Sequence, residues 1–251
     1  MGSLEGKAVI VTGAGSGIGR AAAVMLAAEG ASIVAVGRDR AKLEETLAAV
    51  TGTGGAGHAL VADVTSEADM DRMREETLAA FGKIDGLVAS AGVGKGSSSR
   101  VFPVNTSILP LSEWDEVLRV NLTGVFLSNR AVLAEMMEKR SGTIINVSSY
   151  PAGLKGQPYA PAYSASKFGV AGLTESLAEE MKPFRVKVHA VFPGLTATPM
   201  TSSSALSGKF GVALEPEQVA ELITYMMALP EDTVVGDPVM MPFKTRKRKG
   251  V

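Results

Sequence analysis

Tyr163 and Lys167 stand four residues apart in the stretch Tyr-Ser-Ala-Ser-Lys, a spacing that puts both side chains on one face of a helix. A free phenol titrates near pH 10, and a nearby cation favours its ionised form. Bringing such a phenol to neutrality takes about three pKa units, or roughly 4 kcal/mol, which neighbouring buried cations can supply. The chemistry that fits is proton transfer to or from the oxygen of a carbonyl or secondary alcohol while a hydride moves at the carbon.

The hydride needs a carrier, and the N-terminal region offers a seat for one. Thr12-Gly13-Ala14-Gly15-Ser16-Gly17-Ile18-Gly19 follows the strand-like run Ala8 to Val11 and opens a helical run from Ile18 to Glu29. In that context free backbone N–H groups at a helix N-terminus favour a pyrophosphate. Gly13 permits the sharp turn, Gly17 close backbone approach, and Gly19 the packing of helix on strand. Each motif alone is weak, but their order and separation along one chain are informative.

The scaffold that must hold them is spelled by alternation. Strand-like runs at Ala8 to Val11, Ser32 to Val36, Ala59 to Ala62 and Ile84 to Ala89 alternate with amphipathic stretches at Ile18 to Glu29, Arg40 to Val50 and Glu67 to Phe81. Ser112, ahead of Glu113, Trp114 and Asp115, reads as the N-cap of a long helix toward Lys139. Thr143 to Val147 and Val186 to Val191 are apolar without alternation, as strands buried on both faces are. A last helix fits Pro216 to Leu229 and a last strand Pro238 to Met241. The fold class expected is α/β: a Rossmann-type, doubly wound sheet of seven mostly parallel strands with helices on both faces, forming one domain over residues 1–251. The segment 195–214 reads as a substrate lid and 244–251 as a solvated basic tail.

Composition narrows the chemistry. The 251 residues are 46% hydrophobic and 20% charged with net charge −1, so no basic field attracts nucleic acid. There is no cysteine and only two histidines, His58 and His189, which disfavours metal catalysis. No export signal and no apolar run of membrane-spanning length is found, so a cytoplasmic protein is expected.

The glycine spacing Thr-Gly-x-x-x-Gly-x-Gly, with Asp63-Val64, Ser90-Ala91-Gly92, Asn121, Ser148-Ser149, Tyr163 with Lys167, and Phe192-Pro193-Gly194, resembles the short-chain dehydrogenase/reductase family from Lys7 to about Met241. The resemblance implies a nicotinamide cofactor bound by Gly13, Gly15, Ser16, Gly17, Ile18 and Gly19, with Asp63 and Val64 flanking the adenine and Ala91 and Gly92 beside the ribose. Pro193 and Gly194 would turn beside the nicotinamide, and Thr196 and Thr198 would contact carboxamide and phosphates. It implies Tyr163 as acid/base, Lys167 as its cationic partner and ribose ligand, Ser149 holding the substrate oxygen, and Asn121 anchoring a water that leads protons to Lys167. Ser149 lies one residue further from Tyr163 than is common, with Ser148 as the alternative. Ser90 stands where the family usually has Asn, which bears on the tethering of that strand.

Some readings stay open. Asp63 also reads as a helix cap before Thr65 and Ser66, and Thr198 as a cap of the next segment. Gly37 stands where a carboxylate would receive the ribose of NAD, and Arg38 follows, so NADP (NADPH) is favoured over NAD; Asp39 is the competing carboxylate. Tyr159 reads as pocket lining or packing. The reaction expected is hydride transfer between NADP(H) and a small-molecule carbonyl or secondary alcohol, in a homotetramer with no nucleic-acid or membrane partner. The alternatives are a 3-oxoacyl-thioester reductase and a catalytically silent NADP-binding regulatory protein.

Overall fold

The computed structural model of the protein describes residues 4–94, 105–202 and 213–243. Part of the long loop after Gly92, most of the expected lid and the basic tail lie outside them. Seven strands form a sheet: β1 (Ala8–Thr12), β2 (Ser32–Gly37), β3 (Gly57–Val61), β4 (Gly86–Ala89), β5 (Gly142–Val147), β6 (Val186–Pro193) and β7 (Val239–Met240). Their order is β3-β2-β1-β4-β5-β6-β7, and every pairing among the described residues is parallel. β1 and β4 are buried along their whole length, which explains why their sequences carry no polar alternation.

Among the described residues there are eight α-helices: α1 (Gly17–Ala28), α2 (Arg40–Gly52), α3 (Glu67–Phe81), α4 (Leu111–Leu118), α5 (Gly124–Lys139), α6 (Pro161–Met181), α7 (Pro199–Ser202) and α8 (Pro216–Met227). Side chains of α1, α2 and α8 build one core layer, and those of α3, α5 and α6 build the other. The chain runs outward from β1 to β3 and then returns to place β4 on the other side of β1. That reversal opens a crevice above the C-terminal ends of β1 and β4, where α/β sheets of this kind bind ligands.

Local chemistry sets the helix ends. Ser66 accepts from the Asp69 N–H at 3.2 Å to cap α3, and Gly82 ends it in the left-handed region at φ 72°. Pro216 occupies the first turn of α8, and Gln218 accepts from the Glu215 N–H at 2.9 Å in a reciprocal capping box. The expected cap at Ser112 is not used. α4 starts two residues earlier, with Pro110 as its N-cap: the carbonyl of extended Pro110 accepts from Glu113 and Trp114 N–H at 3.1 Å each. The long helix expected toward Lys139 is also interrupted: a π turn over Arg119–Thr123 joins α4 to α5.

Three elements that flank or carry the site residues, α5, β5 and α6, are locked by a buried polar knot. Asn129 of α5 and Asn146 of β5 exchange amide hydrogen bonds of 2.8 and 3.2 Å, and Asn146 donates to Thr174 of α6 at 3.0 Å. All three side chains are buried, and each bond satisfies a group that would otherwise be costly there. The knot fixes how α5, β5 and α6 slide against one another, which apolar packing alone leaves loosely defined.

His189 in β6 is the other buried polar group of note. It is 4% exposed and its Nε2 has no hydrogen-bond partner among the described residues. Burial, reinforced by Lys187, holds its pKa below the ordinary 6.5. A base whose folded-state pKa is depressed costs stability as pH falls through the unfolded value. The thermal midpoint should therefore drop as pH falls below about 6.5, and His189→Leu should flatten that part of the profile; an unchanged slope in the variant would contradict this assignment.

Candidate active site

The glycine loop joins β1 to α1 at the crevice floor. Gly13 has φ 70°, and a Cβ there would lie 2.8 Å from the Ala91 backbone, so the turn needs glycine for both conformation and space. A side chain at Gly19 would collide with the Gly13 carbonyl, which is what lets α1 press onto the loop. Ser16 precedes α1 in extended conformation and makes no side-chain cap, so the first N–H groups of α1 are not capped by it. Ala14 N–H donates to the Val36 carbonyl at 3.1 Å, tying the loop to the end of β2.

β2 ends on Gly37, and Arg38 and Asp39 follow. Asp39 is the N-cap of α2: its Oδ1 accepts from Lys42 N–H at 3.3 Å and its Oδ2 lies 3.4 Å from Lys42 Nζ. The Lys42 N–H foremost holds this carboxyl below its ordinary range. Arg38 is exposed and makes no ion pair with any described residue. The competing carboxylate is thus committed to a helix end while the guanidinium is free.

Asp63 does not cap α3, a role Ser66 takes. Its Oδ1 accepts from Thr65 N–H and Oγ1, both at 2.9 Å, in a local turn. Val64 packs onto Gly124 of α5. Ala91 N–H reaches the Thr12 hydroxyl at 3.4 Å, so a threonine of the glycine loop supplies a tether between β1 and the end of β4.

The reacting centre assembles at the ends of β5 and α6. Ser148 and Ser149 divide labour: Ser148 Oγ donates to the Lys167 carbonyl at 3.0 Å and is buried, whereas the Ser149 side chain faces the Tyr163 phenol and favours its ionised form. That makes Ser149, not Ser148, the serine facing the phenol. Lys167 is 5% exposed, its Nζ donates to the Val147 carbonyl at 2.8 Å, and it stands 5.8 Å from the Tyr163 ring centroid. Burial lowers the lysine pKa from 10.5 to about 8. Burial also raises the phenol, opposed by the Ser149 hydrogen bond. The protein's own groups therefore keep Tyr163 protonated.

Asn121 lies in the π turn, fully buried. Its Oδ1 accepts from Val93 N–H at 2.7 Å, and its Nδ2 donates to the Val93 carbonyl at 2.9 Å and to Ser166 Oγ at 3.1 Å. A Cβ at Gly92 would sit 3.2 Å from Asn121 Oδ1 and 3.8 Å from Lys167 Nζ, so Gly92 lets the β4 end approach the lysine. Beyond β6, Gly194 N–H donates to the Met240 carbonyl at 2.7 Å, and Thr196 turns its hydroxyl inward to the Gly194 carbonyl at 3.0 Å. The Thr198 methyl lies against Gly17, with 3.0 Å between it and a Cβ built there, bringing the segment after β6 onto the glycine loop. Tyr159 is 58% exposed with φ 60°, a conformation bulky residues rarely adopt, immediately ahead of α6.

The model of the short chain dehydrogenase family matches residues 7–207. The chain belongs to that family. A 3-oxoacyl-[acyl-carrier-protein] reductase of Thermotoga maritima is 34% identical over 249 residues, covering 94% of this chain and 96% of that one. Among solved structures, a levodione reductase superposes with TM-score 0.85 at 31% identity, covering 94% of this chain and 96% of its own. A metagenomic short-chain oxidoreductase in complex with NADP gives TM-score 0.82 at 30% identity, covering 96% and 99%. A short chain dehydrogenase from Mycobacterium paratuberculosis bound to NAD gives 0.83 at 28%, covering 95% and 97%. These relatives are reductases and dehydrogenases, and the chain is an oxidoreductase acting on CH–OH or C=O groups with a nicotinamide cofactor. No helix among the described residues is long and apolar enough to cross a membrane.

Sequence reasoning missed Ser166, whose hydroxyl joins Asn121 to α6, and the capping role of Asp39, although an Asp before a helical run is a readable signal. The Lys167 geometry predicts a stability signature. With its folded-state pKa below 10.5, the cost of burying the ammonium is fully present below about pH 8 and is relieved as pH rises toward 10.5. Lys167→Met should therefore raise the thermal midpoint, relative to the parent, more at pH 7 than at pH 10; an equal or reversed difference would contradict the buried charge.

Proposed function

We propose that the protein is an NADP(H)-dependent oxidoreductase that interconverts a carbonyl and a secondary alcohol, with Tyr163 as general acid and base. The observation that carries this reading is the placement of Ser149, Tyr163 and Lys167 together at the C-terminal edge of the sheet, beside Gly92. A nicotinamide held there would supply or accept the hydride and, when oxidised, would add a positive charge. Ser149 holds the substrate oxygen, and Tyr163, kept protonated by its surroundings, gives that oxygen its proton during reduction. Lys167 orders the nicotinamide ribose and stabilises the phenolate in the reverse direction. Asn121 acts as a brace, since its carboxamide is already committed to Val93 and Ser166.

The preference for NADP rests on Arg38 being free and Asp39 being consumed. A guanidinium grips a phosphate through parallel charge-assisted bonds, and a carboxylate tied to Lys42 repels that phosphate less. One domain carries both cofactor and catalysis, acting in the cytoplasm. Phe126 of α5 and Phe168 of α6 are 42% and 45% exposed, which supports a homo-oligomer, a tetramer as the family resemblance implies. A 3-oxoacyl thioester is the second substrate reading, favoured by the Thermotoga relative.

NADPH fluorescence followed across a panel of ketones, aldehydes, small oxo acids and a 3-oxoacyl thioester tests this function. Oxidation with any member supports it, whereas binding without oxidation favours a silent sensor. Tyr163→Phe should leave NADPH affinity within about twofold while lowering kcat by at least about a thousandfold, on the scale of losing an acid/base group; retained turnover would remove Tyr163 from the chemistry. Arg38→Asp should move the ratio of NADPH to NADH affinities toward NADH by at least about tenfold, and an unchanged ratio would take Arg38 out of cofactor selection.

A further inference from the structure

We propose that Ser166 is a positioning residue for the reaction, tying the turn of α6 that bears Tyr163 and Lys167 to Asn121 and, through it, to the loop after β4. This rests on the oxidoreductase reading above. Ser166 is fully buried between the two reacting residues in sequence. Its hydroxyl donates to the Tyr163 carbonyl at 2.7 Å and accepts from Asn121 Nδ2 at 3.1 Å. Asn121 in turn holds both the N–H and the carbonyl of Val93, next to Gly92. Three bonds engage the carboxamide: one acceptor bond at Oδ1 and both N–H donors at Nδ2.

The chain of contacts therefore runs without slack from the β4 loop through Asn121 and Ser166 into the backbone of Tyr163. Ser128, Asn129 and Thr174 bond helix carbonyls or neighbouring side chains too, but Ser166 alone, among the described residues, links Asn121 to α6. Its bond to the carbonyl three residues back also sets the pitch of the turn on which the phenol and the ammonium are mounted. Replacing the hydroxyl by hydrogen leaves an Asn121 N–H unpaired in a dry site, and the carboxamide and the α6 turn are then free to rotate relative to each other. The phenol loses its fixed position relative to Lys167 and to the loop at Gly92. Misplacement on that scale affects the chemical step far more than ground-state binding.

The test is Ser166→Ala with Ser166→Thr as its rescue, measured in alcohol oxidation with NADP. Expected for Ser166→Ala are a kcat lowered by at least about tenfold, a cofactor Kd within about twofold, and a rising limb of kcat against pH moved upward by at least about half a unit. Ser166→Thr, which restores the hydroxyl, should return the limb and most of kcat. A folded Ser166→Ala enzyme with parental kcat and pH profile would overturn the proposal, as would a Thr variant that folds and still behaves like Ala. Should the Ala variant fail to fold, Ser166→Cys, close in volume but a weak donor, takes its place with the same two criteria. If the parent itself oxidises no alcohol and reduces no carbonyl, it is the oxidoreductase reading that fails, and cofactor binding by fluorescence separates that outcome from this one.

Discussion

An ammonium group in a dry interior is the constraint around which this molecule is organised. Lys167 is 5% exposed, and among the described residues its Nζ donates one hydrogen bond, to the Val147 carbonyl. Removing such a charge from water costs several kcal/mol even after relaxation, by roughly the amount that shifts its titration toward neutrality. The fold accepts this cost at one point, the junction of β5, α6 and the loop after β4. Around it the structure is unusually well tied: Ser148 holds the Lys167 backbone, the Asn129–Asn146–Thr174 knot fixes α5, β5 and α6, and Asn121 pins the β4 loop. The rigidity is what keeps an unfavourable group from relaxing outward.

The same burial explains the division of protonation states. A low-dielectric setting disfavours charge on either partner, so the phenol is pushed up and the lysine down. Neither residue alone is prepared to act as a base at neutral pH. On the proposed function, an oxidised nicotinamide brought next to the pair would supply the further positive charge that favours the phenolate. Sequence spacing pairs the lysine with the phenol; in the structure burial raises the phenol, and Lys167 Nζ stands 5.8 Å from its ring centroid.

Much of the scaffold was legible because its signals are local. The glycine loop sits between a strand and a helix, and the Tyr163–Lys167 spacing reports one helix face; neither depends on distant residues. The seven strands were readable from apolar runs for the same reason. What depended on long-range contact was not readable. Whether Ser148 or Ser149 meets the phenol is decided by how β5 ends against α6, and the π turn at Asn121 follows from packing, not from helix propensity. Ser112 failed as a cap because the carbonyl of extended Pro110 reached the same N–H groups first, a competition the pattern of residue types does not display.

The account stands on the ionisation of one phenol. Tyrosinate absorbance titrated in the parent, with the Tyr163→Phe spectrum subtracted to isolate this residue from the other three tyrosines, measures it directly. The account predicts that Tyr163 titrates above its ordinary value of 10 in the protein alone and shifts downward when oxidised NADP is added. A phenol already titrating near neutrality without cofactor, or one that does not move on adding it, would contradict the account.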